Sequence, residues 1–171
     1  MGKIVCNLAT SVDGFIADEA GGVDWLNDFN AEDYGMIEFF DECGTAIMGS
    51  KTYEQALSFN SWFGKMEGII FTSRKLPSFK NEIIKFVSGD PVPVAEELRK
   101  KEKDSWLVGG GQLISSFIDL DVLDELVITV VPRLLGKGLA LCPSIRKVST
   151  LQLLESKAYA DGVVQLRYCL I

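Results

Sequence analysis

The chain contains no histidine. That absence removes Ser-His-Asp triads, Cys-His dyads, imidazole-ligated metals and histidine acid–base chemistry together. Basic residues are also short: 17 Lys+Arg stand against 24 Asp+Glu, a net charge of −7. This disfavours a broad basic face for gripping nucleic acid, and none is expected as a partner. Long apolar runs are missing, since no window approaches the ~18 residues of a membrane span, and no membrane association is expected. Cysteine is sparse. Cys6, Cys43, Cys142 and Cys169 match no zinc spacing, so no metal site is expected and the thiols read as the reduced cysteines of a cytoplasmic protein. Neither a secretory h-region nor a prenylation box is expected from the two ends.

What is present is an ordinary globular balance, 47% hydrophobic and 24% charged over 171 residues, which suits one domain spanning 1–171. Short apolar runs alternate with helical patterns. Strands are predicted over 3–9, 45–48, 68–71, 83–87, 106–108 and 126–131. Helices are predicted over 31–42, 50–57, 92–103 and from the triple glycine to 118. Asn30 would cap the first of these, with Glu32 and Asp33 in its first turn. The runs 151–159 and 163–170 flank Asp161-Gly162, a hairpin signal. Right-handed crossovers then predict a mostly parallel sheet with the hairpin as its antiparallel edge. Residues 20–30 are the longest irregular stretch, which marks a functional or mobile loop.

Three predicted strand ends carry similar chemistry. Ala46-Ile47-Met48 runs into Gly49-Ser50-Lys51-Thr52, Ile69-Ile70-Phe71 into Thr72-Ser73-Arg74, and Trp106-Leu107-Val108 into Gly109-Gly110-Gly111-Gln112. In open α/β sheets ligands bind outside the carboxyl ends of strands, and helix N-termini favour phosphates. Each turn alone also reads as an ordinary connection or a solvated charge. Three together point to a large phosphate-bearing ligand, with Lys51 and Arg74 as partners for an extra phosphate, which favours NADP over NAD.

Asp33 would share a helix face with Met36, Ile37 and Phe40. It reads either as an acid stabilising the helix start or as a carboxylate in an apolar cleft, where burial would suit it to deliver a proton. Asn7 inside a buried strand needs a partner, protein or ligand. Asp13-Gly14 reads as a plain turn or the start of a site loop. Asn7, Asp13 and Trp25 are the candidate substrate contacts.

At these residues the chain resembles dihydrofolate reductase-like proteins, and more closely the branch holding the reductase domain of the riboflavin-biosynthesis deaminase–reductase. Ala9-Thr10-Ser11-Val12-Asp13-Gly14-Phe15-Ile16-Ala17 resembles that branch's opening motif, and Met48-Gly49-Ser50-Lys51-Thr52-Tyr53-Glu54 the family's M-G-R-x-T-[WY]-E. Phe71-Thr72-Ser73-Arg74, Val108-Gly109-Gly110-Gly111-Gln112-Leu113 and Pro132-Arg133-Leu134-Leu135-Gly136-Lys137-Gly138 match three further motifs in the same order. The resemblance implies a three-layer α/β fold and NADPH-dependent hydride transfer to a small heterocycle, of pterin or pyrimidine type. The other reading is an NADP-binding or sensing module without turnover. Carried over, Ala9 and Ile16 would touch the nicotinamide end. Gly49, Ser50, Lys51 and Thr52 would hold phosphates, Thr72, Ser73 and Arg74 would surround the adenosine phosphate, and Val108 to Leu113 would cradle the pyrophosphate. Asp33 would be the active-site acid and Thr129 its support. Met66 stands where folate reductases keep an arginine for the folate tail, which disfavours dihydrofolate. The resemblance also implies a cis peptide between Gly109 and Gly110. A homodimer is expected, with the apolar final strand as an edge needing cover.

Overall fold

The computed structural model describes residues 1–29, 33–80 and 82–171. In chain order the elements are β1 (Ile4–Ser11), β2 (Phe15–Ala17), a 3-10 turn (Asp24–Leu26), α1 (Met36–Glu42), β3 (Cys43–Gly49), α2 (Ser50–Phe59), β4 (Glu67–Phe71), β5 (Ile84–Val87), α3 (Val92–Arg99), β6 (Asp104–Gly109), α4 (Gly111–Asp119), β7 (Glu125–Val131), β8 (Leu139–Ala140), β9 (Leu151–Ala158) and β10 (Val164–Leu170). Eight strands form one sheet in the order β5-β4-β3-β6-β1-β7-β10-β9. The first six pair in parallel, and β10 runs antiparallel to both β7 and β9. A second, two-stranded antiparallel sheet joins β2 to β8. The fold class expected from the sequence is therefore observed.

Alternation along β1 explains the layers. Ile4 and Cys6 are fully buried and point into a core with α3 and α4, through Ala95, Leu98, Ile114, Phe117 and Ile118. Buried positions 114, 117 and 118 of α4 follow the helical period, which keeps one stripe on the sheet. The opposite face is aromatic: Trp106, Tyr53, Phe39, Trp62 and Phe63 pack there under α1 and α2. Their polar atoms are satisfied. Tyr53 Oη donates to the Pro77 carbonyl at 2.9 Å, Trp62 Nε1 to the Met66 carbonyl at 2.8 Å and Trp106 Nε1 to the Asn7 carbonyl at 2.9 Å. Met66 itself is 4% exposed in this cluster, so its side chain belongs to the core.

Several boundaries differ from the sequence reading. The helix expected over 31–42 spans Met36–Glu42, and Asn30, Ala31 and Glu32 lie outside the described residues. Gly35, in the left-handed region at φ 77°, precedes it; the amphipathic pattern ran through that glycine without registering the break. α3 ends at Arg99, four residues before position 103. β2, β8 and the 3-10 turn are too short to leave a periodic signal. Residues 132–150 contain only β8, so this stretch, not 20–30, is the longest with little regular structure. The final strand is interior: β10 lies between β7 and β9, and the edge at that end of the sheet is β9, with β5 at the other end. Among the described residues no helix is long and apolar enough to cross a membrane. All four cysteines are free thiols, and burial pushes the Cys43 thiol up to about 12.

Candidate functional site

Parallel pairing sets the three strand-end turns side by side. Gly49 stands opposite Phe71 on β4, and Met48 opposite Gly109 on β6. Helices α2 and α4 start immediately beyond, at Ser50 and Gly111, and neither start has a side-chain cap. Their first amide groups therefore remain available, with the positive end of each helix behind them. The Gly109–Gly110 peptide is cis. Gly109 has φ +125°, a region closed to most side chains. A Cβ on Gly49 would come no closer than 3.9 Å to Gly109 O and Gly110 N, and one on Gly110 would meet only Thr52 Oγ1 at 3.7 Å. These two glycines thus front open space beside Thr52.

Gly111 is different. Its Cβ would sit 2.5 Å from the Ala140 carbonyl oxygen and 2.8 Å from Pro143 Cδ. The protein's own β8 segment, not a ligand, demands glycine there. Leu113 packs against the α3–α4 core and Val108 against the aromatic one, while Gln112 is exposed. Within the stretch 108–113, Gly110 borders the open space, while Gly109 is buried against Ile114.

Lys51 is exposed on the first turn of α2. Arg74 is not free: its NH1 and NH2 donate to Glu54 Oε1 and Oε2 at 3.0 and 2.7 Å. The guanidinium holds the Glu54 carboxyl below its ordinary value. Thr72 Oγ1 accepts from the Arg74 amide at 3.0 Å, and Ser73 is exposed. Glu54 was missed as a partner of Arg74, although the family motif contains it, because the two lie 20 residues apart.

Asp33 does not sit in an apolar cleft. It is exposed, precedes α1, and its Oδ1 accepts the Ile37 amide at 3.1 Å. Ile37 is 66% exposed, so the expected buried stripe does not form. The carboxylate holds the helix start, the plainer of its two sequence readings. Thr129, 7% exposed, accepts from Gln165 Nε2 at 3.0 Å, and among the described residues no hydrogen bond joins it to Asp33. Asp13 is likewise occupied. Its carboxylate accepts the Leu135 and Gly136 amides at 3.1 and 2.7 Å, and the Ser11 hydroxyl together with these amides holds it below the usual carboxylate range. It tethers the loop after β7 to the loop after β1. Gly138 completes that contact, since at φ +158° its Cβ would lie 2.2 Å from the Ala17 carbonyl oxygen.

Ile16 is half-buried in β2, and Ala9 lies half-buried on β1 opposite Thr129. Trp25 sits in the 3-10 turn, with its Nε1 buried and, among the described residues, without a hydrogen-bond partner. The turn's surroundings are anchored at two points: Gln55 Nε2 donates to the Gly21 carbonyl at 3.1 Å, and Arg133 pairs with Asp28 and lies 5.4 Å over the Phe29 ring. Beneath α1 a cavity of about 210 Å³ is floored by Asn7, Val127, Gln165 and Arg167. The cavity reaches Val5 and Asp104 near the amino ends of β1 and β6, and among the described residues none that line it belongs to the three strand-end turns.

The model of the RibD C-terminal domain family matches residues 54–165, and the chain belongs to that family. The uncharacterized protein YwjB of Bacillus subtilis (strain 168) is 32% identical over 169 residues, covering 97% of each chain. A putative riboflavin biosynthesis protein from Shewanella sp. PV-4 superposes with a TM-score of 0.87 at 29% identity, over 100% of this chain and 99% of that one. A dihydrofolate reductase from Enterococcus faecalis, complexed with NADP(H), shares the fold at a TM-score of 0.66 and 16% identity, over 99% and 96% of the two chains. The fold is thus of the reductase type, common to riboflavin-biosynthesis and dihydrofolate reductase-like proteins.

Proposed function

We propose that the protein is an NADPH-dependent reductase that passes a hydride to a small heterocycle of pterin or pyrimidine type. One observation carries this reading: two uncapped helix starts and two glycines, Gly49 and Gly110, front one open space at adjacent strand ends. A pyrophosphate fits such a cradle, because the backbone donors face it and no Cβ intrudes. Lys51 and Arg74 would hold the 2′-phosphate at its outer end, with Ser50, Thr52, Thr72 and Ser73 supplying hydroxyls. Ala9 and Ile16 would border the nicotinamide end. Bound there, the cofactor supplies the hydride; the chain's contribution is orientation and exclusion of water. Titration with NADPH followed by quenching of Trp25, Trp62 and Trp106 tests this. A saturable decrease with a raised Tm is expected, and neither effect at saturating NADPH would reject the proposal.

A second reading, an NADP-binding module without turnover, is favoured by Asp33, whose carboxylate is engaged at the start of α1. NADPH binding with no oxidation across pterins, pyrimidines and quinones would decide for it.

A second copy of the chain is the proposed partner. All eight residues of the edge strand β9 are exposed, among them Leu151, Leu153 and Leu154. An open apolar edge invites pairing, and a twofold axis closes it. Light scattering should give twice the mass of one chain, and Leu153→Lys with Leu154→Glu should halve it.

A further inference from the structure

α1 is the most weakly seated helix of the fold. None of its seven residues is buried, whereas α2, α3 and α4 each bury at least two. Its inward stripe of Glu38, Phe39 and Glu42, with Gly35 before it, roofs the cavity of about 210 Å³. Small-molecule sites usually enclose about 300–1,000 Å³. With α1 in this position the cavity is therefore closed down.

The two ends of α1 are held differently. At its carboxyl end the chain runs straight into β3, Lys103 Nζ donates to the Asp41 carbonyl at 3.0 Å, and the Phe39 and Phe40 rings stand 5.9 and 5.1 Å from Trp106. At its amino end Tyr34 and Gly35 both lie in the left-handed region, at φ 54° and 77°. Glycine takes that conformation freely, but a tyrosine holds it only where its surroundings compensate. The compensation comes from one place. Tyr34 Oη donates to Asp161 Oδ2, the Tyr34 ring meets Tyr159 edge-on at 4.9 Å, and the Tyr34 carbonyl accepts from Gln165 Nε2 at 3.0 Å. All three partners belong to the β9–β10 hairpin. The Tyr34 hydroxyl also holds the Asp161 carboxyl below its ordinary value.

The hairpin turn is the fixed member of this contact. Val163 is fully buried, the Tyr159 amide donates to its carbonyl at 2.9 Å, and Gly162 backs onto Pro132. α1 is the member that can move.

We infer that α1 is a lid on this cavity, latched shut through Tyr34 onto the β9–β10 turn, and that lifting it admits or releases an occupant. The inference concerns access alone and is independent of the reductase chemistry proposed above.

Alkylation of the folded full chain with N-ethylmaleimide, read by peptide mass, tests this through the chain's own thiols. Cys43 is 4% exposed, in the cluster against which Met36 and Phe39 pack. Cys6 is fully buried in the core with α3 and α4. Lifting α1 uncovers Cys43, whereas Cys6 waits for global unfolding. Cys43 should therefore react at least tenfold faster than Cys6. Tyr34→Phe keeps the ring and removes one hydrogen bond, so it should quicken Cys43 about three- to tenfold. In an Asp161→Ala background the same change should add less than twofold, because the two groups act as a pair. Ile118→Val, which thins the α4 core without touching the lid, should quicken Cys6 several-fold and leave Cys43 unchanged. Equal rates at the two thiols, an unchanged Cys43 rate in Tyr34→Phe, a full Tyr34→Phe effect beside Asp161→Ala, or a Cys43 rate that follows Ile118→Val would each overturn the inference.

Discussion

The two faces of the central sheet are built from the same strands and end up unlike. On one, Ile4, Cys6, Leu107 and Leu126 meet α3 and α4 in a closed aliphatic core. On the other, Trp106 and Tyr53 are covered by aromatic rings, but coverage stops with the seven-residue helix α1. Beneath it the sheet presents Asn7, Gln165 and Arg167, polar side chains that floor a cavity under α1. An aliphatic face covered by two amphipathic helices has no place for a ligand. A face covered by α2 and the short α1 leaves a polar floor that a ligand can use. The difference comes from coverage as much as from residue type.

The largest expected effect sharpens this contrast within three consecutive residues. Gly111 is packed against the protein and Gly110 faces open space. Gly111→Ala should cost about 2–3 kcal/mol of stability, a Tm fall of roughly 4–12 °C, because backbone must move. Gly110→Ala should leave Tm within about 2 °C and weaken NADPH at least tenfold. Reversal of these outcomes in calorimetric melts would place the ligand cradle on the wrong glycine.

Next comes cofactor choice. Replacing Lys51 and Arg74 together by Ala should weaken NADPH roughly 10- to 150-fold relative to NADH, as loss of charge-assisted bonds worth about 1.5–3 kcal/mol predicts. Glu54→Gln works the other way. It releases Arg74 from its two carboxylate contacts and should improve the NADPH/NADH affinity ratio several-fold. An unchanged ratio in both variants would show that these cations serve only the surface.

The polar face also holds a charge cluster. Glu125 is 4% exposed, and burial alone would raise its carboxyl; hydrogen bonds from Lys3 Nζ and Arg167 Nε, each 2.6 Å, outweigh this and hold it below its ordinary value. A depressed carboxyl stabilises the fold above its unfolded value near ~4.3 and loses that contribution as pH falls through the folded value. Glu125→Gln should therefore cost about 1–2 kcal/mol at pH 7, discounted for the half-exposed cations, and progressively less below pH ~4. A penalty independent of pH in denaturant titrations would contradict this.

The smallest effect is at Asp33. An amide oxygen caps a helix nearly as well as a carboxylate, so Asp33→Asn should leave Tm and the rate of NADPH oxidation within about twofold. A hundredfold loss of rate with unchanged NADPH affinity would restore Asp33 as the proton donor.

Particular residues show what was legible. The strand ends at Met48, Phe71 and Val108 announced themselves through glycines and hydroxyls placed where apolar runs stop, and the order of elements followed from periodicity. Asp161-Gly162 marked the hairpin, and Gly162 takes φ +89° there. The roles of acids were not legible. Asp13 reads as a turn residue, and its partners Leu135 and Gly136 lie more than 120 positions away. Asp33 fits an apolar stripe only if the helix begins before Gly35, which it does not. The edge of the sheet also escaped, because a hairpin signal does not say which of its two strands pairs inward.

The sequence by itself determined the alternation of strands and helices, the absence of imidazole chemistry and the three small-residue turns, because these depend on local periodicity and composition. Only the tertiary structure decided that Arg74 is held by Glu54, that Gly111 answers to β8 and that β9, not β10, is the edge at the hairpin end of the sheet. Each of these depends on which distant residue arrives beside a given side chain, and that is set by strand order and register.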